Sequence, residues 1–445
     1  MGDEEGYIPG AGSADFKIGF DASISSLFHI EGRDSFTVNV SLSGVETTIN
    51  TVEDFLNIRK NPSGSFKLGA DIDLAGVEFN GFCNDGNTVF TGTLDGQGHS
   101  VKNFDLTFTT GSDKGLFGKV SGATIKNISF ANFTINGGLS GVKHVGLIGG
   151  GSAYIENTAF VGTVIGNDHV GLVAGDSDGI EMKNCYAVGT VQGGSQVGGL
   201  FGCTLDGGCN LENCLSNVNA SAFSRGWTGG YIGLIDKANS TVTIKNCVSI
   251  GDCSTTGSGS PKYASPFIAG NGANENANAI VYFSGNIYNS VAIMDAENGQ
   301  DWPGNHETAE GGVVEAATSQ NPNTLATQNT YTAISWDFEN VWAMGTGDYK
   351  YPVLKGVPVS DGTLGVEEVA DAPEASLRVA AANGEIIVAG LGEASVVTVY
   401  NAAGVQVASV AVNAPEAVVA APAAGLYIVA VAADGNKTTA KVVVK

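Results

Sequence analysis

The fold class that the sequence predicts is all-β: a parallel β-helix, or solenoid, followed by a small antiparallel β-sandwich. Three observations predict it. Glycine takes 64 of 445 positions and charged residues only 15%, about twice and well under their usual shares, which suits a chain of many tight turns. A Gly-Leu-X-Gly-like motif recurs at a regular period, and the last seventy residues change to short apolar runs broken by turn dipeptides.

The repeat is read first, because its period decides the architecture. GLFG at Gly115, GLIG at Gly146, GLVA at Gly171, GLFG at Gly199 and GYIG at Gly230 are spaced by 31, 25, 28 and 31 residues. A second marker ends at Asn103, Asn127, Asn157, Asn184, Asn213 and Asn246 (VKN, IKN, IEN, MKN, LEN, IKN). Runs such as AVGTV between Gly, Asn and Asp turns suit one solenoid coil of two or three strands. Helical repeats of similar length are disfavoured, since glycine stands where a helix would suffer and no i, i+3, i+4 pattern appears.

Stacking makes the columns testable. The residues before the marker asparagines are Lys102, Lys126, Glu156, Lys183, Glu212 and Lys245, alternating in sign from the second coil onward. Equivalent positions in a parallel stack lie about 4.8 Å apart, so this column is expected on a solvent face. The residues after them, Phe104, Ile128, Thr158, Cys185, Cys214 and Cys247, are expected inside. The three cysteines then read as stacked buried thiols acting as small hydrophobes. Cys203, Cys209 and Cys253 read as loop residues, with a Cys203–Cys209 bridge as an alternative in an oxidising compartment. The seven cysteines include no CxxC pair. The asparagines are expected to satisfy turn backbone rather than bind a ligand.

Upstream, residues 46–108 read as a prelude whose short helix has Thr51 as N-cap, Glu53 and Asp54 in the first turn, and apolar Phe55, Leu56 and Ile58; it is expected to cap the stack. Residues 1–45, with the strand-like FTVNVSLSG, have no assigned fold. IVYFSGNIYNSVAIM reads as one more coil. SWDFENVWAMGTGDYKYPVLKG, with Trp336, Trp342, Tyr349, Tyr351 and Pro352, reads as a C-terminal cap. The partition is therefore 46–355 for the capped solenoid, 356–374 for an acidic linker and 375–445 for a sandwich of about seven strands, with turns at Asn383-Gly384 and Asp434-Gly435.

The GLFG/GLIG and IKN/IEN pattern, with the flanks INTVEDFLNIRKNPSGSFKLGADIDL and SWDFENVWAMGTGDYKYPVLKG, resembles the GLUG-motif repeats of bacterial surface proteins, common in the Bacteroidetes. The tail VVTVYNAAGVQVASV…AAGLYIVAVAADGNKTTAKVVVK resembles the C-terminal sorting domains of type IX secretion substrates. The resemblance implies a secreted or outer-membrane-attached, adhesin-like protein, and it supplies no catalytic residues.

The residues themselves agree with a non-catalytic reading. A net charge of −24 and pI near 4.4 argue against nucleic acid, which needs clustered cations. No run of eighteen apolar residues spans a membrane, and MGDEEGYIPGAGS lacks the regions of a signal peptide, as expected if a leader had been trimmed. β-Helices host polysaccharide lyases and glycosidases, whose chemistry needs paired carboxylates: Asp168, Asp176 and Asp178 stand near His169 but in glycine-rich turns that favour Asp for local bonding. HExxH and GxSxG are absent, and His29, His99, His144, His169 and His306 show no metal-ligand spacing. Asp295, Glu297 and Asp301 in DAENGQDWPGNH loosely match a calcium loop, against a solvated loop as the plainer reading. Trp227 and Trp302 stand in polar surroundings and could stack on sugar rings, against a role as buried anchors.

The resulting expectation is a non-enzymatic solenoid that binds a glycan or a host protein, with no catalytic residues, no obligate cofactor and calcium as an option. The rivals are a carbohydrate-active enzyme, which requires a carboxylate pair facing one groove, and a structural stalk, which requires no groove.

Overall fold

The computed structural model describes residues 46–357, apart from 225, 238–239, 257–261, 272–278, 293, 296–297, 300–312 and 347–348, and much of 378–444. It divides into two units, Met1–Leu364 and Gly365–Lys445.

The first unit is a parallel β-solenoid, as expected. One interior column shows the stacking: Thr47, Phe66, Leu94, Ile125, Ile155, Met182, Leu211, Ile244, Phe283 and Val314 follow one another in parallel register. Nearly all of these side chains are buried apolar groups, so each coil hides its apolar face only by lying on its neighbours. IVYFSGNIYNSVAIM does form a further coil, with Ile280–Ser284, Ile287–Asn289 and Met294–Asp295 paired in parallel to the coil before.

The charged column exists and is longer than expected. Lys67, Asp95, Lys126, Glu156, Lys183, Glu212 and Lys245 are in register, alternating in sign throughout. Asp95 meets Lys126 at 3.2 Å and Glu212 meets Lys245 at 3.2 Å. Lys102 and Asn103 do not belong to it, a correction to the motif alignment. They lie in the strand Ser100–Thr107, which pairs with Ser129–Asn136, so Asn103 bonds Asp73 and Asn132 and Phe104 stacks on Phe133 at 5.3 Å. The first-coil equivalent of IKN is LDG, with Asp95.

The marker asparagines build the turn. Asn127, Asn157, Asn184 and Asn213 have φ of 52°, 47°, 51° and 52°, a left-handed conformation that Asn tolerates better than other side chains. Each Nδ2 donates to the Oδ1 of the coil before, at 3.1, 3.3 and 3.3 Å for Asn157, Asn184 and Asn213, and Asn127 donates to Asp95 at 3.1 Å. This ladder is a structural spine. Beside it, Cys185, Cys214 and Cys247 are fully buried, with thiols directed at carbonyls of their own coil at 3.2–3.4 Å. All seven cysteines are unpaired. Cys203, Cys209 and Cys253 are buried in strands rather than loops; Cys209 and Cys253 join the interior core, and Cys203 is in register with Asp176.

The glycine motif has a steric cause. In register, the aligned residue is the second glycine: Gly118, Gly149, Gly175, Gly202 and Gly233 follow Phe117, Ile148, Ala174, Phe201 and Ile232, and GLVA carries one extra residue before its Gly175. A Cβ on Gly149 would lie 2.3 Å from the Asp113 carbonyl carbon, one on Gly175 2.3 Å from that of His144, and one on Gly202 2.2 Å from that of His169. Gly149, Gly175 and Gly202 thus let the main sheet pass against the backbone of a narrow sheet of short strands.

The helix Val52–Leu56 has its predicted cap: Thr51 Oγ1 accepts from Asp54 N at 3.1 Å and Asp54 Oδ2 accepts from Thr51 N at 3.1 Å. Phe55 and Ile58 enter the interior core, with Phe55 edge-on to Phe82 at 5.3 Å. The segment expected as C-terminal cap lies elsewhere. Leu325, Tyr331, Trp336, Trp342 and Leu354 pack on Ala159, Tyr186, Leu215, Val248 and Ile287, an outward column spanning successive coils, so the segment covers a flank rather than the end. Trp336 Nε1 donates to Asn246 O at 2.7 Å.

The second unit contains two antiparallel sheets, one of Arg378–Ala382, Glu385–Ala389 and Glu416–Ala420, the other of Gln406–Val412, Ser395–Asn401, Gly425–Ala433 and Asn436–Val444. Ile386, Val388, Val397, Val399 and Val429 form one core between them.

Candidate functional site

The narrow sheet carries the chemistry. Its strands include Ser112–Lys114, Lys143–Val145, Asp168–Gly171, Val197–Gly198, Gly226–Gly229 and Lys262–Ser265, all parallel. Their register stacks Asp113, His144, His169, Gln196, Trp227 and Tyr263 as one column, residue on residue. The first three adopt left-handed φ of 55°, 52° and 51°.

Within that column the two histidine rings stack, with centroids 4.8 Å apart and planes at 20°. His144 Nδ1 lies 2.8 Å from Asp113 Oδ1 and 3.1 Å from Asp176 Oδ2, and His169 Nδ1 lies 2.6 Å from Asp176 Oδ1. Asp176 comes from the adjoining strand Ala174–Ser177 and is only 4% exposed. A buried carboxylate persists when paired and hydrogen-bonded, and both imidazoles serve it. Lys119 flanks Asp113 at 3.4 Å and Lys143 flanks Asp168 at 3.5 Å. Burial disfavours a charged His144, but the bond to Asp113 and the charges of Asp176, Asp113 and Asp168 outweigh it and hold its pKa above the ordinary value. The same His144 contact, opposed by burial and aided by Lys119, holds Asp113 below the usual range. Burial, with Asp176, Asp236 and Asp168 nearby, pushes the Cys203 thiol well up. One donor atom each from His144, His169 and Asp176 falls within 4.8 Å of the others. This corrects the reading that no two histidines have ligand spacing: in a solenoid, neighbours are one coil apart, here 25 residues.

Of the other carboxylates of that stretch, Asp178 behaves as a turn residue, while Asp168 opens the strand Asp168–Gly171. Asp178 Oδ1 accepts from Gly207 N at 2.7 Å, and Asp168 pairs with Lys143. Further along the column, Trp227 is half-buried and stacks on Tyr263, with centroids 6.4 Å apart and planes at 19°. Its indole edge lies over Gly270, where a Cβ would come 2.3 Å from Cδ1. Trp302, Glu297 and Asp301 lie outside the described residues. Asp295 belongs to the short strand Met294–Asp295, in register with Ser254.

Two grooves border the flank segment. One, of about 310 Å³, is lined by Gln97, Asn127, Asn157, Asn340 and Lys355 among others. The second, about 500 Å³, has Glu315 as its one acidic lining residue. Neither holds a carboxylate pair, which was the mark of the enzyme reading, while their presence departs from the mark of a bare stalk.

The family model for the N-terminal region of M26 IgA1-specific metallo-endopeptidases matches residues 32–169. Halomucin of Haloquadratum walsbyi is 31% identical over 154 residues, covering 32% of this chain and 1% of halomucin, so the chain spans about a hundredth of that relative. A crystal structure described as a candidate immunoglobulin A1 protease from Bacteroides ovatus is similar with a TM-score of 0.49 and 22% identity, over 71% of this chain and 94% of the other. No helix among the described residues is long and apolar enough to cross a membrane.

Proposed function

We propose that this chain is an extracellular, non-catalytic binding protein of the GLUG-repeat type, in which the narrow face of the solenoid meets a glycan or a host protein. The observation that carries the reading is the contrast between two turn columns of one solenoid. The asparagine ladder bonds coil to coil and is explained by the fold, with Asn213 Oδ1 left unpartnered at its end. The Asp113 to Tyr263 column instead brings an acid, two imidazoles, an amide and two stacked aromatic rings to one face, a mixture suited to orienting polar ligands and stacking on sugar rings. Trp227 and Trp302 are the proposed ligand contacts, and Asp295, Glu297 and Asp301 a proposed calcium loop. The proposed partition keeps 46–355 as binding solenoid, 356–374 as linker and 375–445 as a type IX-like sorting domain that delivers the protein to a bacterial surface.

The test is an array of glycans, matrix proteins and immunoglobulin A1 probed with the full chain, in calcium and in chelator, beside Trp227→Ala. Saturable binding that drops at least tenfold in the variant supports the narrow face, and loss in chelator that calcium restores and zinc does not supports the 295–301 loop. A blank array under both conditions sinks the binding reading. A second reading rests on the match at residues 32–169: a protease-associated module that holds a protein substrate. It predicts capture of immunoglobulin A1 in the same array, and the lack of HExxH in these 445 residues predicts no cleavage by this chain alone.

A further inference from the structure

We infer that His144, His169 and Asp176, with Asp113 as fourth donor, form a binding site for a zinc-class divalent cation that clasps three successive coils of the solenoid. The inference shares Asp113, His144 and His169 with the proposed ligand face but does not require that face to bind a glycan or protein, and it uses none of the residues of the calcium loop.

Ligand type and spacing support it. Imidazole with carboxylate suits zinc and its transition-metal neighbours. Around a tetrahedral ion with bonds of about 2.0–2.1 Å, donor atoms stand roughly 3.3 Å apart. The present separations of 2.6, 2.8 and 3.1 Å are slightly shorter, as expected where protons hold the same atoms together. The donor atoms of His144, His169 and Asp176 all lie within 4.8 Å of one another, so a cation entering among them replaces those protons and draws the wider-spaced donors together.

The balance of donors and acceptors supports it independently. A single Nδ1 proton on His144 faces oxygens of both Asp113 and Asp176, and the neighbouring Asp168 Oδ1 and Gln196 Oε1 are buried with no hydrogen-bond partner. The cluster therefore has more buried oxygen acceptors than protons to serve them, and a dication supplies the missing positive charge. Backbone conformation adds a third point. Left-handed turn positions elsewhere in this solenoid are mostly Asn or Gly, so the turn alone does not call for histidine at 144 and 169.

The site joins the coil of Asp113, the coil of His144 and the coil shared by His169 and Asp176, so its occupancy should stiffen the middle of the stack. The double variant His144→Asn/His169→Asn tests this with little risk to folding, because Asn is this solenoid's own choice at left-handed turns. Equilibrium dialysis of the full chain against Zn²⁺ should show one ion per chain, with affinity at least tenfold weaker in the double variant and in Asp176→Asn. Zn²⁺ should raise the melting temperature of the wild type and not that of the double variant. Co²⁺ should give the visible bands of a four-coordinate nitrogen and oxygen site. The proposal is overturned by the absence of saturable zinc binding, by equal binding in the double variant, or by a cobalt–thiolate charge-transfer band, which would place the ion on a cysteine.

Discussion

Gly202 illustrates how much of this fold is decided by the absence of one carbon. A Cβ there would sit 2.2 Å from the His169 carbonyl carbon and the same distance from Val170 N, both backbone atoms that cannot step aside. Gly202→Ala should therefore cost about 3 kcal/mol or more, at the upper end of overpacking. Gly138→Ala, with φ of 69° and nothing within 4 Å, should cost only the left-handed penalty of about 1 kcal/mol. Denaturant midpoints of the two variants check the difference, and equal losses would refute the close-approach account. At this scale the sequence was legible wherever a residue repeats: the motif glycines, the asparagines and the buried cysteines all mark columns. The histidine pair was visible too, as HVGL at 144–147 and again at 169–172. Ligand spacing within one element does not reveal it, because stacking brings together residues a whole coil apart.

At the scale of elements, the flank segment is where packing overrides pattern. Its aromatic residues announced burial but not against what. A clue lay in the solenoid itself: Cys185, Tyr186 and Ala187 are consecutive and all buried, which a strand with one solvated face does not show. Both faces of that strand are covered, the inner by the stack and the outer by Trp336 and Trp342, whose rings lie 4.3 Å apart. Trp342→Ala should cost about 3–5 kcal/mol and open residues 322–357 to limited proteolysis ahead of the solenoid strands. If the segment stays protected while stability falls, Trp342 is only a local contact and the flank is held by other bonds. The misaligned first coil has a similar cause. VKN at Asn103 matches the motif letter for letter, but the strand that begins at Ser100 belongs to the next face of the coil, and only the pairing of Asp95 with Lys126 reveals the offset.

For the whole molecule, the alternating charge column and the acid-rich composition make pH a probe of where the stack is weakest. Asp95 is 6% exposed; burial alone would raise its pKa, yet the amide of Gln97, the side chain of Asn127 and Lys126 together hold it below the ordinary carboxylate value. Asp71 is opposed by burial but lowered by Ser100 and His99, and Asp73 is lowered chiefly by Asn103 and the amide of Ala75. All three tie the first coils together. A carboxylate whose folded pKa is depressed contributes stability that is fully present above its unfolded pKa, about 3.9 for Asp, and is lost as pH falls through the folded value. The N-terminal coils should thus loosen below about pH 4, before the cysteine-lined coils near Cys214 and Cys247, whose columns contain no buried carboxylate. Hydrogen exchange read by peptide at pH 6 and at pH 3 should show protection falling first over residues 65–107, and Asp95→Asn should lower stability at pH 6 while flattening its acid dependence. Uniform loss along the stack would mean instead that the coils unfold as one unit, with acid sensitivity set by net charge rather than by the bonds that Asp71, Asp73 and Asp95 make.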